Sequence, residues 1–115
     1  MKIQKVYEQM GIDYDQILDR FGDEELLRKY LNKFMKEQSF VKLQESMEKG
    51  NAEEAFEAVH ALKGICLTLG FRDLYTASCK LTEVLRNGKL SGSDEPYQEV
   101  ISEYQRLIMM IETIE

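Results

Sequence analysis

The chain has 115 residues, 43% of them hydrophobic and 31% charged, with a formal net charge of -6. That length supports one continuous core without metal or disulfide staples, so one domain spanning residues 1–115 is expected. The acidic balance repels phosphate backbones and anionic lipid, which argues against nucleic acid and membrane as partners, and two cysteines are too few for a disulfide framework.

Taken in chain order, the punctuation divides the sequence into helical segments. Met1–Met10 carries Lys2, Lys5 and Glu8 and lacks the apolar centre of a secretory leader. No apolar run reaches membrane-spanning length, so a reducing cytoplasm is the expected location. Ile3–Met10 reads as a short amphipathic helix ended by Gly11. Asp13 is a cap for a second short helix, Tyr14–Arg20, closed by Phe21-Gly22. Asp23 stands before Glu24, Glu25, Leu26 and Leu27, an N-cap with acids in the first turn. Leu27, Tyr30, Leu31, Phe34 and Met35 then repeat at spacings of three and four, and Phe40, Leu43 and Met47 extend the pattern to Lys49, with a break near Gln38-Ser39.

Gly50-Asn51 is a boundary. Gly50 suits the residue after a helix end. Asn51 suits an N-cap, and Glu54 three residues later completes a capping-box pattern. The next helix runs to about Leu69, with Gly70 as its stop. Another runs from Arg72 to Arg86, stopped by Asn87-Gly88. Lys89–Ser93 is a loop, Ser93 an N-cap candidate, and Pro96 falls in a first turn, where proline is tolerated. The last helix carries Val100, Ile101, Tyr104, Leu107, Ile108 and Ile111. No segment alternates with period two. The reading is all-α: an antiparallel four-helix bundle with one or two short additional N-terminal helices.

Ala52–Leu69, drawn as a helix, places Ala55, Val59, Leu62, Cys66 and Leu69 on one stripe facing the core. His60, the only histidine, lies roughly 130° from the centre of that stripe on the ideal wheel and should be exposed or on its flank. Glu53, Phe56, Glu57, Lys63, Gly64 and Leu67 share its face. Lys63 at i+3 sets a positive charge beside anything attached to His60. Gly64 at i+4 costs about 1 kcal/mol against alanine in a helix interior, which asks for a packing or functional reason. Phe56 and Leu67 are large apolar residues on the solvent-leaning side. Singly, each has an ordinary reading as a boundary histidine, a solvated lysine, a glycine admitting a neighbouring helix, or packed apolar side chains. Together, on one face of one helix, they mark a site.

The run His60-Ala61-Leu62-Lys63-Gly64, continued by Ile65-Cys66-Leu67-Thr68-Leu69-Gly70, resembles the signature of histidine-containing phosphotransfer domains. Phe21-Gly22-Asp23-Glu24-Glu25-Leu26-Leu27 looks like that family's lead-in to its long second helix. Gly50-Asn51-Ala52 looks like the turn before the histidine helix, and Leu74, Leu81 and Arg86-Asn87-Gly88 like the helix after it. Two departures stand out. Ile65 and Cys66 occupy positions where the family usually has small residues, and Thr82 follows Leu81 where an acid is frequent, with Glu83 one position later.

The resemblance implies a phosphorelay phosphoprotein in two-component signal transduction. His60 would exchange a phosphoryl group with the aspartate of response-regulator receiver domains, in a pathway headed by a sensor histidine kinase. It implies Nε2 of His60 as the accepting atom and Lys63 as the charge that offsets the phosphoryl group. Gly64, Phe56, Leu67 and Glu57 would form the partner-binding face. No cofactor is expected on this chain; Mg²⁺ is expected in the partner receiver. The sequence has no glycine-rich nucleotide loop, so a carrier without kinase activity of its own is expected, and a monomer. The alternative is a non-phosphorylated helical adaptor binding signalling partners through the same face. A metal site is disfavoured: Glu57 and His60 form one Glu-x-x-His pair where paired-helix metal sites need more. Cys66 on the core stripe and Cys79 read as packing residues.

Overall fold

A computed structural model describes residues 1–115 as seven helices without a strand. They are α1 (Ile3–Gln9), α2 (Tyr14–Phe21), α3 (Glu24–Met35), α4 (Ser39–Lys49), α5 (Ala52–Leu69), α6 (Arg72–Leu85) and α7 (Asp94–Glu112). Short turns make α4, α5 and α6 antiparallel neighbours, and a longer loop returns α7 to lie along α6. α3 and α4, two halves of one broken helix that line α5 in succession, form the bundle with α5, α6 and α7, and α1 and α2 are the two short N-terminal additions. None of the helices is long and apolar enough to cross a membrane.

Local chemistry sets most boundaries. The Asp13, Asp23 and Asn51 carboxyl or amide oxygens accept from the backbone N–H of Asp15 (3.0 Å), Leu26 (2.8 Å) and Glu54 (3.0 Å) respectively, satisfying donors that a helix start leaves free. The expected capping box at Asn51 is only half made. Its reciprocal donor, the Asn51 N–H, already goes to Ser46 O (2.9 Å) in the turn that closes α4 through left-handed Gly50. The break between α3 and α4 falls at residues 36–38. There the Glu37 carboxylate accepts from the Ser39 N–H (2.8 Å) and hydroxyl (2.7 Å) and starts α4. Ser93 departs from its expected role. It is buried in helical backbone geometry, and its hydroxyl donates to Leu90 O (2.6 Å), so it closes the preceding turn instead of capping α7.

One hydrophobic cluster of 25 buried residues runs through all seven helices. All five residues of the expected α5 stripe lie in it. Ala52 and Ala58 are buried as well, because α5 is flanked by both α4 and α6. Phe40 and Tyr104 stack at 3.8 Å between α4 and α7, and the Phe34 ring meets Phe71 edge-on at 5.1 Å.

The N-terminal helices bear directly on the C-terminal end of α5. The buried Tyr7 hydroxyl donates to Leu69 O (2.8 Å). The Arg20 guanidinium donates to Leu67 O (2.8 Å) and Thr68 O (2.7 Å), two carbonyls a helix end leaves unpaired. Gly70 ends the helix at φ 77°, and a Cβ there would overlap Ile17 of α2. These contacts hold the helix that carries His60 at its end as well as along its length.

Candidate functional site

His60 lies on the exposed ridge of α5, opposite the core stripe. The ridge has two flanks. Toward α6, the half-buried Phe56 ring lies nearly parallel to the imidazole, 10° apart in plane, with centroids separated by 5.9 Å. One turn on, Lys63 is half-buried. Two α6 side chains complete this flank. The Arg86 guanidinium sits 5.6 Å from the Phe56 centroid, within cation–π range. It also forks onto the Glu83 carboxylate, Nη2 to Oε1 at 2.8 Å and Nε to Oε2 at 3.2 Å. Hydrogen bonding to Arg86 and its charge, with a smaller contribution from Lys63, hold the Glu83 carboxyl below its ordinary range. One carboxylate thus serves two cations beside the histidine.

The other flank is open. A Cβ built on Gly64 would meet nothing within 4 Å. The glycine borders a groove between α5 and α3, walled by Ala61, Ile65 and Thr68 on one side and by Tyr30, Lys33 and Phe34 on the other. The tertiary structure therefore removes the packing reason for Gly64: no neighbouring helix uses the space. Leu67, two turns on from His60 along the ridge, is 59% exposed, and Leu26 and Tyr30 of α3 are exposed as well. Glu57 borders a separate polar groove between α4 and α5, together with Lys42 and Lys49. It is thus on the opposite side of the ridge from Lys63 and Arg86.

His60, Phe56, Lys63, Gly64 and Leu67, expected on one face from helical spacing, do share it. Glu57 marks the outer edge of that face. Thr82, the departure from the usual acid, is fully buried and donates to Ser78 O (2.7 Å), so its hydroxyl serves α6 itself. Glu83 and Arg86 were not among the expected site residues. Their spacing of three marks an ion pair within α6, but only the packing of α6 on α5 shows that the pair lies against Phe56. Cys66 is buried, and burial pushes its thiol up to about 12, with a further rise from nearby Cys79, as expected for an inert core residue.

Comparison with curated proteins and with solved structures finds no match. A family model described as the Hpt domain matches residues 25–114, leaving α1 and α2 outside the matched region.

Proposed function

The chain belongs to the Hpt domain family, the histidine-phosphotransfer modules of two-component signalling, and from that premise we propose that it is a phosphorelay intermediate working through His60. The observation that carries the reading is the exposed imidazole between a cation-bearing flank and an open glycine flank. Phosphoryl transfer asks for positioning and charge stabilisation more than for covalent chemistry by the protein, and this ridge offers both.

In the proposed step, Nε2 of a neutral His60 attacks the phosphorus of a receiver's aspartyl phosphate. The N–P bond forms as the acyl O–P bond breaks, the aspartate leaves as a carboxylate with the bonding pair, and Nδ1 keeps its proton. The reverse step returns the group. Lys63 offsets charge on the transferring phosphoryl and on the phosphohistidine. Gly64 admits the receiver's active-site edge, and Phe56, Leu67 and Glu57 meet its surface. The divalent cation, Mg²⁺, belongs to the receiver and neutralises phosphoryl charge there. The chain acts as a cytoplasmic monomer downstream of a sensor histidine kinase and has no kinase step of its own.

The test incubates purified protein with receiver domains prephosphorylated on aspartate, with His60→Gln as control. Acid-labile, alkali-stable label on the wild type and none on the variant is the expected result. Binding of receivers without any transfer would replace this reading with that of a non-phosphorylated adaptor.

A further inference from the structure

Arg86 has two partners in the unphosphorylated protein, the Glu83 carboxylate and the Phe56 ring, and Phe56 is the aromatic neighbour of the imidazole. We propose that Glu83 holds Arg86 in reserve, and that phosphorylation of His60 draws the guanidinium from Glu83 onto the phosphoryl oxygens. The proposal deepens the phosphorelay reading and rests on it.

The physical case is a competition between two anions for one fork. The Glu83–Arg86 pair is solvent-exposed, with side chains 65% and 57% accessible, and exposed pairs of this kind hold weakly. A phosphoryl group carries close to two negative charges and three strong acceptor oxygens, and it binds a guanidinium through the same two-pronged geometry. Phe56 gives the guanidinium an apolar surface along the way to the imidazole. Before phosphorylation, Glu83 occupies Arg86 and partly offsets the charge Lys63 presents, so the empty site carries a reduced positive field. Afterwards both cations face the phosphoryl group. Arg86 then acts as a positioning residue for the phosphorylated state, and Glu83 sets how readily it is released.

The experiment needs no protein partner: phosphoramidate serves as donor, and decay of phosphohistidine is followed after its removal. The proteins are wild type, Glu83→Gln, Arg86→Gln, Arg86→Lys and the Glu83→Gln/Arg86→Gln double variant, with helicity checked for each. Arg86→Gln should shorten the phosphohistidine half-life about 3- to 10-fold, the size expected for losing a charge-assisted contact near the surface. Arg86→Lys should recover part of that, since it keeps the charge but not the fork. Glu83→Gln should lengthen the half-life about 2- to 5-fold in the wild-type background and by much less when Arg86 is absent, where only its influence on Lys63 is left, the mark of an effect routed mainly through Arg86. The Arg86 Nε–H resonance should also shift on phosphorylation of the wild type. An equal Glu83→Gln effect with and without Arg86 would overturn the proposal, because Glu83 would then act by its own charge. So would a half-life indifferent to Arg86, or an unmoved Nε–H resonance. A wild type that takes no label on His60 would instead remove the phosphorelay reading, and this inference with it.

Discussion

The two flanks of the α5 ridge solve different problems with residues from the same short stretch. Toward α6, large and charged side chains line the flank of the His60 ridge, with the Glu83 carboxylate paired to Arg86 and Lys63 left as a second cation. Toward α3, the helix gives up its side chain at Gly64 and leaves a groove bordered by exposed apolar residues. The first arrangement suits holding a charged group, the second suits admitting another protein. A residue that is costly for helix formation and serves no internal contact is best explained by something outside the chain.

The largest effect is expected at the crest of the ridge. His60→Gln should abolish acid-labile labelling altogether while circular dichroism and melting stay as in the wild type. Residual label would mean that another residue accepts the group. Next in size is the contrast between the inner and outer faces. Leu62, 1% exposed, should cost about 2–5 kcal/mol when replaced by alanine. Leu67→Ala should change stability by less than about 0.5 kcal/mol yet weaken receiver binding, measured by titration calorimetry.

A smaller effect separates the two glycines of this helix region. Gly70→Ala should destabilise by about 1–3 kcal/mol in urea unfolding, because φ is positive and Ile17 fills the space. Gly64→Ala should stabilise by about 1 kcal/mol, as alanine does in an open helix site, while slowing transfer to receivers. Loss of stability at Gly64 would show that the open flank is not open.

The mildest probe is alkaline titration of the core beneath the ridge. The Cys66 thiol is raised in the folded state from the ordinary 9.0 to about 12. The folded protein therefore keeps a proton that the unfolded chain loses. The stability associated with the protonated thiol is intact below pH 9 and declines as pH rises from about 9 toward 12. Denaturant titrations across that range should show the decline, and Cys66→Ala should flatten it. Buried Tyr7, whose phenol is also raised by burial, adds to the fall in the same direction and remains in the variant.

Much of this was legible from residue order because it depends on neighbours within one helical turn. The α5 stripe, the caps at Asp13, Asp23 and Asn51, and the shared face of His60, Lys63 and Gly64 follow from helical periodicity and local hydrogen bonding. The misreadings also came from groups with two possible partners. Ser93 had a turn carbonyl within reach, and Asn51 had the end of α4.

By itself, then, the sequence determined the number and limits of most helices, the buried stripe of α5 and the exposed ridge with its histidine, since each is a property of one chain segment obeying a 3.6-residue repeat. Only the tertiary structure decided what stands on either side of that ridge. Glu83 and Arg86 lie 23 and 26 residues beyond His60 in the chain, and helical spacing within α6 does not say which side chains of α5 they meet. Nor does the identity of Gly64 say whether its missing side chain is filled by a neighbour or left to solvent. Those answers depend on how two helices pack, a long-range outcome of burying the whole core at once.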